Sequence, residues 1–353
     1  MSIRRPASRR RASSPCPSAS ARAAATAVPA GATDATARTE RETPEAPLPG
    51  FFFARSDALA QNAAREECDM KQLATGYGLI EAPLWDAERG LLFSDVQNGG
   101  VHALGRDGAV TTLLPHRRGI GGMVHHADGG VVVGGRNIAF KSFDGTRTEI
   151  LLDKDITETA IGFNDFTTDA AGRLFVGSLG FQVFSGDPER PGHLHVIHLD
   201  GTASTVSDGV MLTNGMGFSP DGKRLYHSDA RKNIVRVYDV DDGRVGEWSV
   251  FAEFEDGHPD GLCVAEDGAV VVAVAFGGRV AVLEPDGSLR ESLRVPLPMV
   301  TSVAFGGNDL RDLYVVTGSR EGPHENCGSI YVTGIGVAGL AVPPCRVRLR
   351  RSD

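Results

Sequence analysis

From about residue 76 the apolar residues fall in short runs broken by polar turns. Phe93, Val131-Val132-Val133, Leu174-Phe175-Val176, Leu225-Tyr226, Val270-Val271-Val272 and Leu313-Tyr314-Val315-Val316 are strand-like runs. No long segment repeats its apolar residues at helical spacing. The turns between the runs are rich in Asp-Gly pairs, as tight hairpins demand. The pattern predicts an all-β fold.

The runs also repeat as a unit. Opening turns stand at Asp86-Ala87-Glu88-Arg89-Gly90, Asp128-Gly129-Gly130, Asp169-Ala170-Ala171-Gly172, Asp221-Gly222, Asp267-Gly268 and Gly306-Gly307-Asn308. Their spacing, roughly 41 to 52 residues, suits propeller blades of four strands each. Closing turns match at Asp107-Gly108, Asp144-Gly145, Asp200-Gly201, Asp241-Asp242-Gly243 and Asp286-Gly287. Six such units predict a six-bladed β-propeller of four-stranded antiparallel blades over residues 70–353, with a β-sandwich as the alternative.

Composition sets the first residues apart. Residues 1–50 hold eight Arg, no Lys and four acids, and their first Leu is Leu48. Such a stretch lacks the apolar residues to build a core, and residues 1–69 are expected to be a disordered Arg/Ala/Ser-rich extension. Two origins are open: a transit-peptide-like leader, or residues upstream of a true start at Met70. The remaining chain is acidic, with 28 basic against 41 acidic side chains. That charge repels phosphate backbones and anionic lipid, so nucleic-acid and membrane-surface partners are excluded. Five scattered cysteines without C-x-x-C spacing suggest reduced thiols and a cytoplasmic protein.

The repeat also locates candidate chemistry. The innermost strand of each blade should precede its opening turn and line the central channel. Five to seven residues before those turns stand Glu81, Asn164, Asn214 and Asp260, with Gly121-Gly122 and Thr301-Ser302 in the other two units. Four oxygen donors at equivalent depth predict a site for one divalent metal. With no His or Cys among them, hard oxygen donors favour Ca²⁺, while Zn²⁺, Mn²⁺ and Mg²⁺ stay open.

At these residues the chain resembles the senescence marker protein/gluconolactonase family (regucalcin-like; SMP-30/gluconolactonase/LRE). The matching motifs are Glu81-Ala82-Pro83-Leu84-Trp85-Asp86, Phe163-Asn164-Asp165, Thr213-Asn214-Gly215, Ser219-Pro220-Asp221-Gly222-Lys223 and Pro259-Asp260-Gly261, and they span roughly residues 76–345. The resemblance implies a six-bladed propeller with a divalent cation held by Glu81, Asn214 and Asp260. It implies that Asn164 ligates the metal or contacts substrate. It also implies a lactone-opening hydrolase acting on a small-molecule lactone, with Asp260 as catalytic general base. Sugar lactonases of this family typically carry Arg two residues before the first Asn; Gly162 stands there, which favours a less hydroxylated lactone, and Arg136 is a candidate replacement.

Other residues are weighed beside these. Phe163, Met123, His125 and His258 join Asn164 as candidate substrate-binding residues, and Phe181, Met216 and Phe276 are apolar neighbours in sequence. Asp165 is expected behind the ligands, because adjacent strand residues face opposite ways. His193, His195 and His198 are read as an exposed strand, and Ser178 lacks the elbow of a serine hydrolase. Two rival functions use the same fold: a phosphotriesterase like diisopropylfluorophosphatase, and a non-catalytic calcium-binding propeller.

Overall fold

A computed structural model describes residues 70–154 and 159–350. The expected extension at 1–69 lies outside the described residues. Twenty-four strands form six four-stranded antiparallel sheets. The first five blades are β2–β5 (residues 80–114), β6–β9 (123–153), β10–β13 (162–210), β14–β17 (213–253) and β18–β21 (258–294), each in chain order. The sixth is assembled from β22 (Val300–Gly306), β23 (Asp312–Thr317), β24 (Gly328–Thr333) and the first strand, β1 (Lys71–Tyr77). The all-β six-bladed propeller read from the repeat is the fold observed.

The turn chemistry explains the regular hairpins. In the Asp-Gly turns at Asp107, Asp144, Asp200, Asp221, Asp267 and Asp286 the carboxylate accepts the backbone N–H two residues on, and glycine takes the left-handed position. Asp86 Oδ1 accepts from Glu88 N (2.9 Å) and Arg89 N (2.8 Å); Asp107 Oδ1 accepts from Ala109 N at 3.0 Å, with Gly108 at φ 82°. Six opening turns but five closing turns appear in the chain for a topological reason. The last blade takes its fourth strand from the N-terminal side, so no hairpin joins β24 to it. That pairing of β1 with β24 closes the ring, leaving no open edge between last blade and first.

The core is six layers, one between each pair of neighbouring blades. Val271, Val282 and Val300 pack with Val315 between the fifth and sixth blades. Ile80, Leu91 and Phe93 meet Tyr314, Val316 and Ile330 between the first and the last. Middle strands are buried on both faces, which is why they read as continuous apolar runs rather than alternating ones. Each such side chain contributes about 1.5–3 kcal/mol on burial.

A C-terminal strap, residues 338–350, runs beneath the ring. Leu340 N donates to Val264 O (2.8 Å) on the fifth blade, Cys345 N to His125 O (2.8 Å) on the second, and Arg348 N to Leu199 O (2.8 Å) on the third. His126 is buried under it, its Nε2 3.0 Å from Val347 O.

Candidate metal centre and active site

The six inner strands are β2 (Ile80–Asp86), β6 (Met123–His125), β10 (Gly162–Thr168), β14 (Thr213–Phe218), β18 (His258–Val264) and β22 (Val300–Gly306). Each abuts the next, and β22 abuts β2, so they enclose the channel. Five of them carry an extra residue against their partner strand at the same level. The irregularities fall between Glu81 and Leu84, Phe163 and Phe166, Thr213 and Met216, Pro259 and Leu262, and Val300 and Ser302. A bulge breaks strict alternation and re-aims side chains. Here it places Glu81, Asn164, Asn214 and Asp260 on the floor of one cavity of about 300 Å³.

Asp165 lines a separate cavity rather than this one, and it is buried close enough to repel both Glu81 and Asp260. Burial holds Glu81 well above the ordinary carboxylate range, with Asp260 and Asp165 adding to the shift. Burial and Asp165 raise Asp260 in the same direction. Burial pushes Asp165 up to about 7. Among the described residues no cationic side chain lowers any of the three.

Amides and glycines complete the floor. Asn164 Nδ2 donates to Asn214 Oδ1 at 2.6 Å and to Thr213 O at 2.9 Å, tying the third blade to the fourth. Gly121, the residue of the second blade at this level, makes room: a Cβ there would sit 1.8 Å from Asn164 Oδ1. Gly215 lets two inner strands meet, since its Cβ would fall 2.1 Å from Leu262 N. Asn214 is anchored from behind. Asp229 accepts from Met211 N and Leu212 N (both 3.1 Å), pairs with buried Arg236 at 2.6 Å, and His227 Nε2 lies 2.7 Å from Thr213 Oγ1.

Among the described residues no three His, Cys, Asp or Glu side chains form a metal cage by themselves. The donor set nevertheless fits a hard divalent cation once the amides are counted. Asp260 Oδ1 is buried without a hydrogen-bond partner, and mutually repelling carboxylates share a small volume beside Asn oxygens.

The other expected site residues divide. His258 lines the same cavity, its Nδ1 2.6 Å from Asn233 Oδ1, with Phe276 beside it. Met123 and His125 do not line it. They lie in a second cavity of about 430 Å³, built from residues that follow the ligand positions along the inner strands and covered by Leu340–Pro343 of the strap. Met216 shares that second cavity. Phe163 is 1% exposed and packs between the second and third blades, because the residue before Asn164 faces away from the channel. Arg136 is exposed and off the lining. His195 departs from the exposed-strand reading: it is buried, with Ser178 Oγ at 3.2 Å and Thr205 Oγ1 at 3.1 Å, and burial lowers it to about 4. Gln182 and Arg231 of the cavity wall were not found from sequence; they sit on connections with no repeated motif.

A propeller that gathers carboxylates and amides on the floor of its central channel defines the class. The chain belongs to the family described as SMP-30/Gluconolactonase/LRE-like region, matched over residues 79–319. It is 34% identical over 280 residues to a 6-deoxy-6-sulfogluconolactonase of Pseudomonas putida, covering 75% of this chain and 94% of that one. It is 32% identical over 254 residues to a pentonolactonase of Haloferax volcanii, covering 70% and 84%. Among solved structures, a luciferin-regenerating enzyme superposes with a TM-score of 0.70 at 27% identity, covering 78% of this chain and 99% of that one.

Proposed function

We propose that the protein opens a lactone by hydrolysis on the channel floor, with Glu81, Asn164, Asn214 and Asp260 holding one divalent cation. The observation that carries this reading is the buried carboxylate cluster, with Asp260 Oδ1 unpartnered, at the base of a cavity. Family membership with relatives named as lactonases supports the reaction class. Oxygen-only donors favour Ca²⁺, with Mn²⁺, Mg²⁺ and Zn²⁺ as weaker substitutes. When bound, the ion supplies Lewis-acid polarisation of the lactone carbonyl.

The chain's own residues do the rest. Asp260 takes a proton from the attacking water as general base. The water oxygen bonds to the carbonyl carbon, the ring C–O bond breaks, and the departing ring oxygen takes up the proton that Asp260 accepted, which restores the carboxylate. The product is the open hydroxy acid. Glu81 chiefly neutralises the cation, and Asn164 orients substrate or ion. The strap covers the far side of the channel, so substrate enters over the ligand cavity. The described cysteines, Cys263, Cys327 and Cys345, are unpaired, which accords with a cytoplasmic setting. No helix among the described residues is long and apolar enough to cross a membrane.

The test is hydrolysis of a lactone panel by chelated and ion-reconstituted protein. Chelation abolishes turnover and Ca²⁺ restores it; Asp260→Asn lowers kcat at least about a hundredfold, the scale for a positioned base, and weakens ion binding by calorimetry. Full activity in excess chelator, or near-normal kcat in Asp260→Asn, would overturn the assignment.

A further inference from the structure

We infer that the lactone taken here carries an alkyl or aryl substituent rather than a ring of hydroxyls; this rests on the lactone-hydrolase reading above. The cavity floor is polar, but its wall is not. Leu79, Val96, Ile161 and Leu212 line it from several blades, joined by Phe184 and Phe276. Two of these remain notably open, Ile161 at 41% and Phe184 at 52% exposure. Apolar side chains around a concave mouth gain most when an apolar ligand covers them.

The backbone at two of these positions points the same way. Phe184 has φ 65° and Phe276 φ 62°, left-handed conformations that bulky residues avoid. Both aromatic rings border the one cavity, and strained backbone of this kind gathers at ligand sites.

The wall offers few partners for hydroxyls. Arg231 is engaged by Glu189 at 2.9 Å and lies near the face of Phe181. His258 has its Nδ1 committed to Asn233, leaving Nε2. The Gln182 amide is the other polar group. A sugar lactone, hydroxylated around its ring, would leave most of its hydroxyls against apolar side chains and stripped of water. An alkyl chain in the same place would displace water without that loss.

The experiment compares a δ-alkyl lactone such as δ-nonalactone, an aryl lactone such as dihydrocoumarin, and δ-gluconolactone on Ca²⁺-loaded full-length protein. The expected kcat/KM is at least about tenfold higher for the alkyl or aryl substrate, in the range of hydrophobic-pocket discrimination. In Phe184→Ser and Ile161→Ser, both at exposed positions that tolerate polar residues, KM for the favoured substrate rises several-fold while that for gluconolactone changes less than about twofold. Gluconolactone turned over as well as or better than the others overturns the substituent class and leaves the hydrolase reading standing. Equal response of all substrates to both variants also overturns it. Absence of turnover on all three, with Ca²⁺ binding confirmed by calorimetry, removes the hydrolase reading and this inference together.

Discussion

Asp165 carries the sharpest consequence at the scale of single residues. Its carboxyl, ordinarily near 3.8, is pushed to about 7 by burial. The folded protein therefore binds that proton more tightly than the unfolded chain. Between about pH 4 and pH 7 the folded state holds the extra proton, so this group's contribution falls as pH rises through the window and stays unfavourable above it. Asp165→Asn removes the effect. In chelated protein, the variant's Tm should match wild type near pH 4 and exceed it by at least about 2 °C at pH 8, the shift that roughly 1 kcal/mol produces in a domain of this size. Thermal unfolding across pH checks it; a constant offset at all pH values would show that Asp165 is not the titrating group.

At the scale of elements, β14 is the strand whose placement matters most. It presents Asn214, and its entrance is held by Asp229 at the end of β15 (Arg224–Asp229) and Arg236 on β16 (Ile234–Asp241). Both side chains of that ion pair are fully buried. Asp229→Asn leaves Arg236 charged and unpaired in the interior, which destabilises by about 3–5 kcal/mol. Denaturant unfolding should show that loss. Calorimetry should show weaker Ca²⁺ binding, since Asn214 loses its anchor. Arg236→Met added to Asp229→Asn should recover part of the stability but not the ion affinity, because the neutral amide oxygen holds the N–H groups of Met211 and Leu212 more weakly than the carboxylate does. Recovery of both would make the pair structural only.

For the whole molecule, closure of the ring decides stability. Deleting residues 1–69 removes nothing from the blades and should leave Tm and turnover unchanged. Extending the deletion through Gly78 removes β1 and exposes the edge of β24. That chain should lose more than about 10 °C in Tm or fail to remain soluble, as an open sheet edge invites aggregation. Equal stability of the two truncations would argue against the pairing of β1 with β24.

The chain alone determined the blade count and the common depth of the four candidate donors, because both are local and repeated. An Asp-Gly turn is satisfied by its own side chain, as at Asp86 and Asp107, and a buried middle strand is apolar wherever it lies. The positions of Glu81, Asn164, Asn214 and Asp260 followed from counting back from those turns. Tertiary structure decided what counting could not reach. Packing set the buried Asp165 close enough to Glu81 and Asp260 to repel both, although it lines a different cavity. Phe163 packs into the layer between the second and third blades, and Met123 and His125, on an inner strand in regular register, lie under a strap formed by residues about 215 positions later in the chain. Gln182 and Arg231 entered the wall on irregular connections, whose paths are set by packing rather than by any repeat. Each of these depends on contacts between distant segments, and such contacts leave no period in the sequence.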